Sequence, residues 1–421
     1  MTNSSENQMA IDPLIEGLYR NEGRRIFASI VRQVRDFDVA EDAMQEAFAS
    51  AAKQWPTEGV PSNPRSWLVS AGRFRAIDAL RRRGRLNDAA ADILLRQNQI
   101  AEVNAFRAST GIQDDRLRLI FACCHPAIDQ SIQIPLTLRE VCGLSTEDIA
   151  SAFLVSTSSM SQRLVRGKAK IRDAGVPISI PSREELGQRV DSVLAVVYLI
   201  FNEGYSASSG QQLIRAELSA EAIRLGRLLL SLIPDTEVKG LLALMLLQES
   251  RRRARATHDG EIVLLEEQDR TLWDRDQMQE GQQLVSESMQ SGDAGPYTIQ
   301  AAIAAVHAKA PSTHETDWAE MVTLYDALFE LYPTPIVALN RAVAIAMRDG
   351  PQAGLQIIDS ILERGELVDY HLAHAARADL CRRLGQFREA KDAYERAREL
   401  AKQEPERRFL TKRLALLPDD I

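Results

Sequence analysis

Aromatic residues are scarce in this 421-residue chain: Phe, Trp and Tyr together make up 5% of it. With Ala, Leu, Glu, Gln and Arg abundant, that shortage favours helices over strands. Cysteine is scarce as well. Cys123, Cys124, Cys142 and Cys381 show no disulfide-framework spacing, which fits a reducing compartment and excludes a disulfide-stapled scaffold. The N-terminus, MTNSSENQMA, has neither a basic stretch nor an apolar one, so no signal peptide is expected. Long apolar runs are also missing. VLAVVYLIF (193–201) and GLLALMLL (240–247) are far too short to span a bilayer, so a cytoplasmic chain with no membrane role is expected. No G-x-S-x-G, Walker-type loop or Cys–His nucleophile pattern occurs, so neither an enzyme nor a cofactor is expected.

Nor is there an overall excess of positive charge: the formal net charge is −8, unlike a typical nucleic-acid binder. Local patches, however, are what touch phosphates. Residues 65–85 hold seven arginines and one acid, Asp78, and residues 163–172 hold five bases and no acid. Residues 36–46 hold five acids and no base.

Apolar positions recur at helical spacing almost everywhere, and no alternating strand pattern is evident, so the fold class expected is all-α. A first helical block covers residues 11–85, interrupted at 55–67 by WPTEGVPSNPRSW, whose prolines and glycine predict a loop. A polar linker at 86–113 follows, then a second block at 114–176 that ends on AGVPISIPS. The remaining residues, 183–421, are again helical. Their segment RLGQFREAKDAYERARELA spaces Gly385, Ala390, Tyr394 and Ala397 like a tetratricopeptide helix pair, and Gly350 lies 35 residues before Gly385. Stacking needs about three such units, so residues 183–330 must supply the rest of that core.

Two segments carry most of the information. In DVAEDAMQEAFASAAKQW, Asp38 suits an N-cap with Glu41 reaching back to it. Asp42, Gln45 and Glu46 then share one helical face, while Ala43, Ala47 and Phe48 turn to a core. After the loop, WLVSAGRFRAIDALRRRGR sets Trp67, Leu68, Ala71, Ile77 and Leu80 on an apolar side, beside Arg73, Phe74 and Arg75. Its closing arginines, Arg81 and Arg82 among them, suit either a helix C-terminal dipole or a phosphate track with aromatics for unstacked bases. Composition alone does not separate these readings.

The second segment, GLSTEDIASAFLVSTSSMSQRLVRGKAKIR, reads as a helix-turn-helix. Ser145 caps a short helix with Ile149, Ala150 and Phe153 inward. A turn follows at 154–156, and then a helix with Met160, Leu164 and Ile171 as its core stripe. Its exposed side offers Thr157, Ser158, Ser161 and Gln162 for base edges, and Arg163, Arg166, Lys168 and Lys170 for phosphates. Taken alone, a helix pair that binds no DNA competes with this reading.

The run EDAMQEAF, a tryptophan-flanked loop, WL and RAIDALRR resembles region 2 of the extracytoplasmic-function (ECF) RNA polymerase sigma factors. The segment LREVCGLSTEDIA followed by VSTSSMSQRLVRGKAKIR resembles their region 4. The resemblance implies that Asp42, Gln45 and Glu46 dock on the clamp helices of the largest polymerase subunit. It implies that Trp55, Asn63, Trp67, Arg73, Phe74, Arg75, Arg81 and Arg82 capture the melted −10 element. It further implies that the helix carrying Thr157, Ser158, Ser161, Gln162, Arg163, Arg166 and Lys168 reads the −35 element beside the polymerase flap. Where the family often has asparagine, seven residues after the tryptophan, this chain has Phe74, so the family's −10 base preference is not carried over. Ser158 and Ser159 replace the usual glycine and threonine of the recognition helix.

The long C-terminal part with FNEGY (201–205) resembles the subgroup with a fused TPR-like domain. That implies control of activity in cis, through an unknown protein or ligand. Glu203 and Tyr205 read either as part of such a contact or as a helix-terminating turn. Cys123-Cys124-His125 lacks the second ligand pair that structural zinc needs, and His371 and His374 show no obvious carboxylate, so no metal is expected. Two other functions compete with a promoter-directing factor: a helix-turn-helix regulator independent of polymerase, and a TPR-type scaffold.

Overall fold

The computed structural model describes residues 2–82, 115–153, 155–179, 181, 183–205 and 216–418. They divide into two compact units, Met1–Val196 and Val197–Ile421. Among the described residues every regular element is a helix, apart from one isolated antiparallel bridge between Ala256 and Ile262.

The first unit opens with α1 (Thr2–Val34), α2 (Phe37–Glu58) and α3 (Pro64–Arg82). Ile26, Phe27, Ile30 and Val31 of α1 meet the fully buried Ala40, Met44 and Ala47 of α2 and Leu68, Ala76 and Ile77 of α3. Each such Ile, Leu or Phe contributes about 1.5–3 kcal/mol on burial. Gly72 lets α3 approach α1 closely: a Cβ there would lie 2.5 Å from Ile30 Cδ1.

The cap expected at Asp38 sits two residues earlier. Asp36 is extended and its side chain accepts from Val39 N, because the αL residue Arg35 (φ 54°) turns the chain just before it. Glu41 does not reach back to Asp38. It pairs instead with Arg24 of α1 at 2.9 Å.

The expected loop at 55–67 shrinks to residues 59–63. Pro56 is accommodated in the last turn of α2, which ends at Gly59 (φ 86°), and Pro64 opens α3, where its missing N–H costs nothing. The linker expected at 86–113 lies outside the described residues.

The same unit continues with α4 (Asp115–Cys123), α5 (Gln130–Glu140), α6 (Thr146–Ala152) and α7 (Thr157–Asp173). Leu117, Leu119, Ile120 and Phe121 bury α4, and Asp115 at its start accepts from Ser29 Oγ of α1 at 2.8 Å. The helix pair α6–α7 has the expected caps: Asp148 N donates to Ser145 Oγ (3.0 Å) and Ser159 N to Ser156 Oγ (3.2 Å). Residue 154 of the turn is not described. Met160, Leu164 and Ile171 face inward, and Gly167 lets α7 lie against α5 where a Cβ would meet Ile132 Cγ2 at 2.7 Å.

Helix α8 (Arg183–Tyr205) runs through the division between the units, so the boundary expected at 183 falls at the start of a shared helix. Within the first unit, Arg189 donates to the Phe121 carbonyl and lies over the Phe121 ring.

The second unit holds α9 (Ala216–Leu232), α10 (Thr236–Glu249), α11 (Arg275–Gln290), α12 (Pro296–Lys309) and α13 (Trp318–Leu331). The GLLALMLL run lies in α10, which is apolar all round and therefore central: Leu241, Leu242, Met245 and Leu246 are buried. Glu237 caps α12, accepting from the backbone N–H groups of Gly295, Tyr297 and Thr298 at 3.1, 2.8 and 3.1 Å.

Then come α14 (Pro335–Asp349), α15 (Pro351–Glu363), α16 (His371–Arg383), α17 (Phe387–Leu400) and α18 (Glu404–Ala415). The repeat glycines turn α14 into α15 and α16 into α17, with φ of 103° at Gly350 and 76° at Gly385. Ala390, Tyr394 and Ala397 sit in the core with Ala342, Ala346, Leu355 and Ile358. FNEGY ends α8, and Gly204 permits a close approach to α9: a Cβ there would meet Ser219 N at 2.3 Å. His371, expected to lack a carboxylate neighbour, has Glu406 Oε1 3.2 Å from Nε2, supplied by α18.

Candidate nucleic-acid interface

Helical periodicity exposes Asp42, Gln45 and Glu46 together on α2, because Ala43, Met44, Ala47 and Phe48 take the buried side. Beside them α3 presents Arg75 and Arg82. Arg75 Nε lies 3.7 Å from Glu46 Oε2, and Arg82 pairs with Asp78 on its own helix at 3.1 Å. Asp42, Glu46, Arg75 and Arg82 line a shared groove of about 300 Å3. Exposed pairs of this kind contribute at most about 1 kcal/mol, so exchanging them for another partner costs little.

The aromatic residues divide by burial. Phe74 is 58% exposed, whereas Trp55 is buried and meets the half-buried Trp67 edge to face, with ring centroids 5.5 Å apart. Arg73, at 7% exposure, turns into the bundle while Arg75 turns out. Asn63 caps α3, accepting from Ser66 N at 3.0 Å. Trp55 and Arg73 therefore help build the bundle and the exposed Asn63 caps α3, while Arg75 and Arg82 line the groove and Phe74 and Arg81 lie elsewhere on α3, Phe74 exposed and Arg81 half-buried. A helix turns about 100° per residue, which is why consecutive positions such as Arg73 and Phe74 part so sharply.

On α7, Thr157, Ser158, Ser161, Gln162 and Arg166 are exposed, and Arg163 and Lys168 are half-buried. Val165, 58% exposed, lies among them. The hydroxyls of Ser156 and Ser158 stand 3.1 Å apart at the helix start, where backbone N–H groups point outward. Lys168 Nζ pairs with Asp38 Oδ1 of α2 at 2.5 Å, joining the recognition helix to the bundle.

That junction has a buried acid that sequence reasoning passed over. Glu140, at the end of α5, is 5% exposed, and burial pushes its carboxyl up to about 7. Lys168, Arg24 and Arg139 pull the other way, and Glu41 adds to the rise. Gly143 (φ 75°) completes the seam: a Cβ there would lie 2.8 Å from Arg24 Nε. An acid in LTLRE carries no signal of this in a single sequence, since Lys168, Arg24 and Glu41 come from three other helices.

Cys123 and Cys124 are buried in and after α4, which raises both thiols, Cys124 to about 12. His125 is lowered by burial and by Arg189, and its Nδ1 accepts from Ala127 N at 3.1 Å. Among the described residues no group of three His, Cys, Asp or Glu side chains could hold a metal, and no helix is long and apolar enough to cross a membrane.

Comparison with known proteins follows the same division. Sigma-70 region 2 matches residues 18–86 and Sigma-70 region 4 matches residues 133–171. A family of unknown function, DUF6596, matches residues 189–289. An uncharacterized protein of Rhizobium meliloti (strain 1021) is 43% identical over 389 residues, covering 92% of each chain. No solved structure matches. An exposed acidic and arginine-bearing helical bundle, a capped helix-turn-helix and those matches in that order place this chain in the sigma-70 family of transcription initiation factors, with the two-region ECF arrangement and a helical C-terminal extension.

Proposed function

We propose that the chain directs core RNA polymerase to specific promoters and helps open the −10 region, with its C-terminal extension controlling that activity. Asp42, Gln45 and Glu46 dock on the clamp helices of the largest subunit, and the region around α7 meets the flap. Phe74 offers a stacking surface for an unpaired base, with Arg75, Arg81 and Arg82 along the strand. Stacking of one base on an aromatic ring is worth about 1–3 kcal/mol, comparable with the cost of unstacking it. Thr157, Ser158, Ser161 and Gln162 read −35 base edges while Arg163, Arg166 and Lys168 hold phosphates.

The observation that supports this best is the groove between α2 and α3, which sets Asp42 and Glu46 of the acidic face beside Arg75 and Arg82, with Phe74 exposed on the same α3. A helix-turn-helix regulator acting without polymerase has no use for that face. On this proposal, the 2.5 Å contact between Lys168 and Asp38 is one that opens when the chain binds a promoter. The −10 and −35 elements are about 25 base pairs, or roughly 85 Å, apart on duplex DNA, so the two blocks must part at a promoter.

Reconstituted transcription with core polymerase tests the proposal. Asp42→Ala, Gln45→Ala and Glu46→Ala together, all exposed, should leave the fold intact and lower core affinity and promoter-specific initiation at least about tenfold. Unchanged initiation by a folded triple variant would refute the docking assignment. Failure of the unaltered chain to initiate at any genomic promoter, its extension cut or intact, would refute the function.

A further inference from the structure

The second unit contains a cavity of about 650 Å3 lined from α8, α10, α12, α13, α14, α16 and the loop after α10, within the size range of small-molecule sites. One side is aromatic. Tyr198, Phe201 and Tyr205 come from α8, with the Phe201 and Tyr205 rings stacked 5.5 Å apart, and Tyr325 comes from α13. The other side is polar, carrying Gln248, Arg251, Gln300 and His307, and among the described residues no acid lines the cavity.

The positive groups here donate to neutral acceptors. Arg251 donates to Tyr205 Oη at 2.9 Å and to Gln248 Oε1 at 2.5 Å, both neutral acceptors, and its guanidinium lies 5.8 Å from the Trp273 ring centre. Behind it Arg270 lies 4.6 Å from the same ring and donates only to the carbonyls of His307 and Ala310. Among the described residues no carboxylate lies within 4.0 Å of either guanidinium: Glu249 pairs with Arg252 at 2.7 Å, and Glu315, whose charge reaches Arg270 from farther off, accepts from Ser312 Oγ at 2.8 Å. Nη2 of Arg270 and Nδ1 of His307 are buried with no hydrogen-bond partner. Burial first, and then the charges of Arg251 and Arg270, hold His307 down to about 4. Half-buried cations whose acceptors are all neutral are left with uncompensated charge, which an anion would offset.

We propose that this cavity binds a small organic anion, its headgroup held by Arg251 beside His307 and its apolar body lying against Tyr198, Phe201 and Tyr325. A guanidinium fork matches a carboxylate or a phosphate, while the aromatic wall requires carbon as well as charge. Binding is a property of the second unit and stands whether or not the extension controls transcription.

Calorimetric titration of the full chain tests it with 1-naphthoate and octanoate as organic carboxylates, 1-naphthamide as the uncharged control and inorganic phosphate as the bare anion. At least one carboxylate should bind at a single site, and naphthamide and phosphate should each bind at least about tenfold more weakly, the worth of a charge-assisted hydrogen bond. Arg251→Met should lower carboxylate affinity at least about tenfold, with naphthamide unaffected. Ala304→Trp, which fills the cavity without altering Arg251, should abolish binding, and a melting curve checks that each variant is folded. The proposal falls if neither carboxylate binds or if naphthamide binds as well as naphthoate. It falls equally if phosphate alone matches the carboxylates, or if a folded Ala304→Trp binds undiminished.

Discussion

Glu140 shows how one side chain can carry a pH dependence that its neighbours in sequence do not reveal. Its folded carboxyl, at about 7, lies above the ordinary value of 4.5. The stability it contributes is therefore fully present below about 4.5 and lost as pH rises through about 7, because the unfolded chain gives up the proton more readily. Replacing it by Gln mimics the protonated form. The melting temperature of the unaltered protein should thus fall between pH 5 and 8 more steeply than that of Glu140→Gln. Parallel pH profiles of the two would contradict this. The residues around the groove were legible for a different reason. Asp42, Gln45 and Glu46 are set apart by periodicity alone. Arg73 was not, since a long aliphatic stem allows arginine to sit on either side of a helix.

Helices and their inward faces could be read from apolar spacing, but their ends followed contacts that spacing does not encode. Three acids, Asp36, Asp38 and Glu41, offer competing caps for α2, and the choice falls on Asp36 because Arg35 takes the left-handed conformation while Glu41 is held by Arg24. Asp36→Ala should accordingly destabilise the first unit by about 1 kcal/mol, and Asp38→Ala by less, in denaturant titrations. Equal losses would return the cap to Asp38. The proline-rich stretch was read as a longer loop because proline is tolerated at the edges of helices as well as between them. The recognition helix and the Gly350 and Gly385 turns were legible because their signals are local: a hydroxyl cap, a three-residue core stripe, a glycine at positive φ. The cavity around Arg251 was not, since its lining comes from six helices and a loop spread over residues 198–372.

At the scale of the molecule, the order of the two DNA-binding blocks and the extension was legible, while the place where one unit ends was not. A cut near residue 181 would remove Arg189, which is bonded to the Phe121 carbonyl inside the first unit. A chain ending at Tyr205 keeps α8 whole and is the cleaner test of control by the extension. It should alter promoter-dependent transcription at least about tenfold relative to the full chain, and an unchanged transcript level from a folded 1–205 chain would dismiss that control. The pair between Lys168 and Asp38 has a consequence for ionic strength. Salt screens both this partly exposed pair and the phosphate contacts proposed for Lys168, so it would loosen the paired form while it weakens DNA binding. The two effects oppose each other. Promoter affinity of the unaltered protein should therefore decline less steeply with salt than that of Asp38→Asn, which has no internal pair to release.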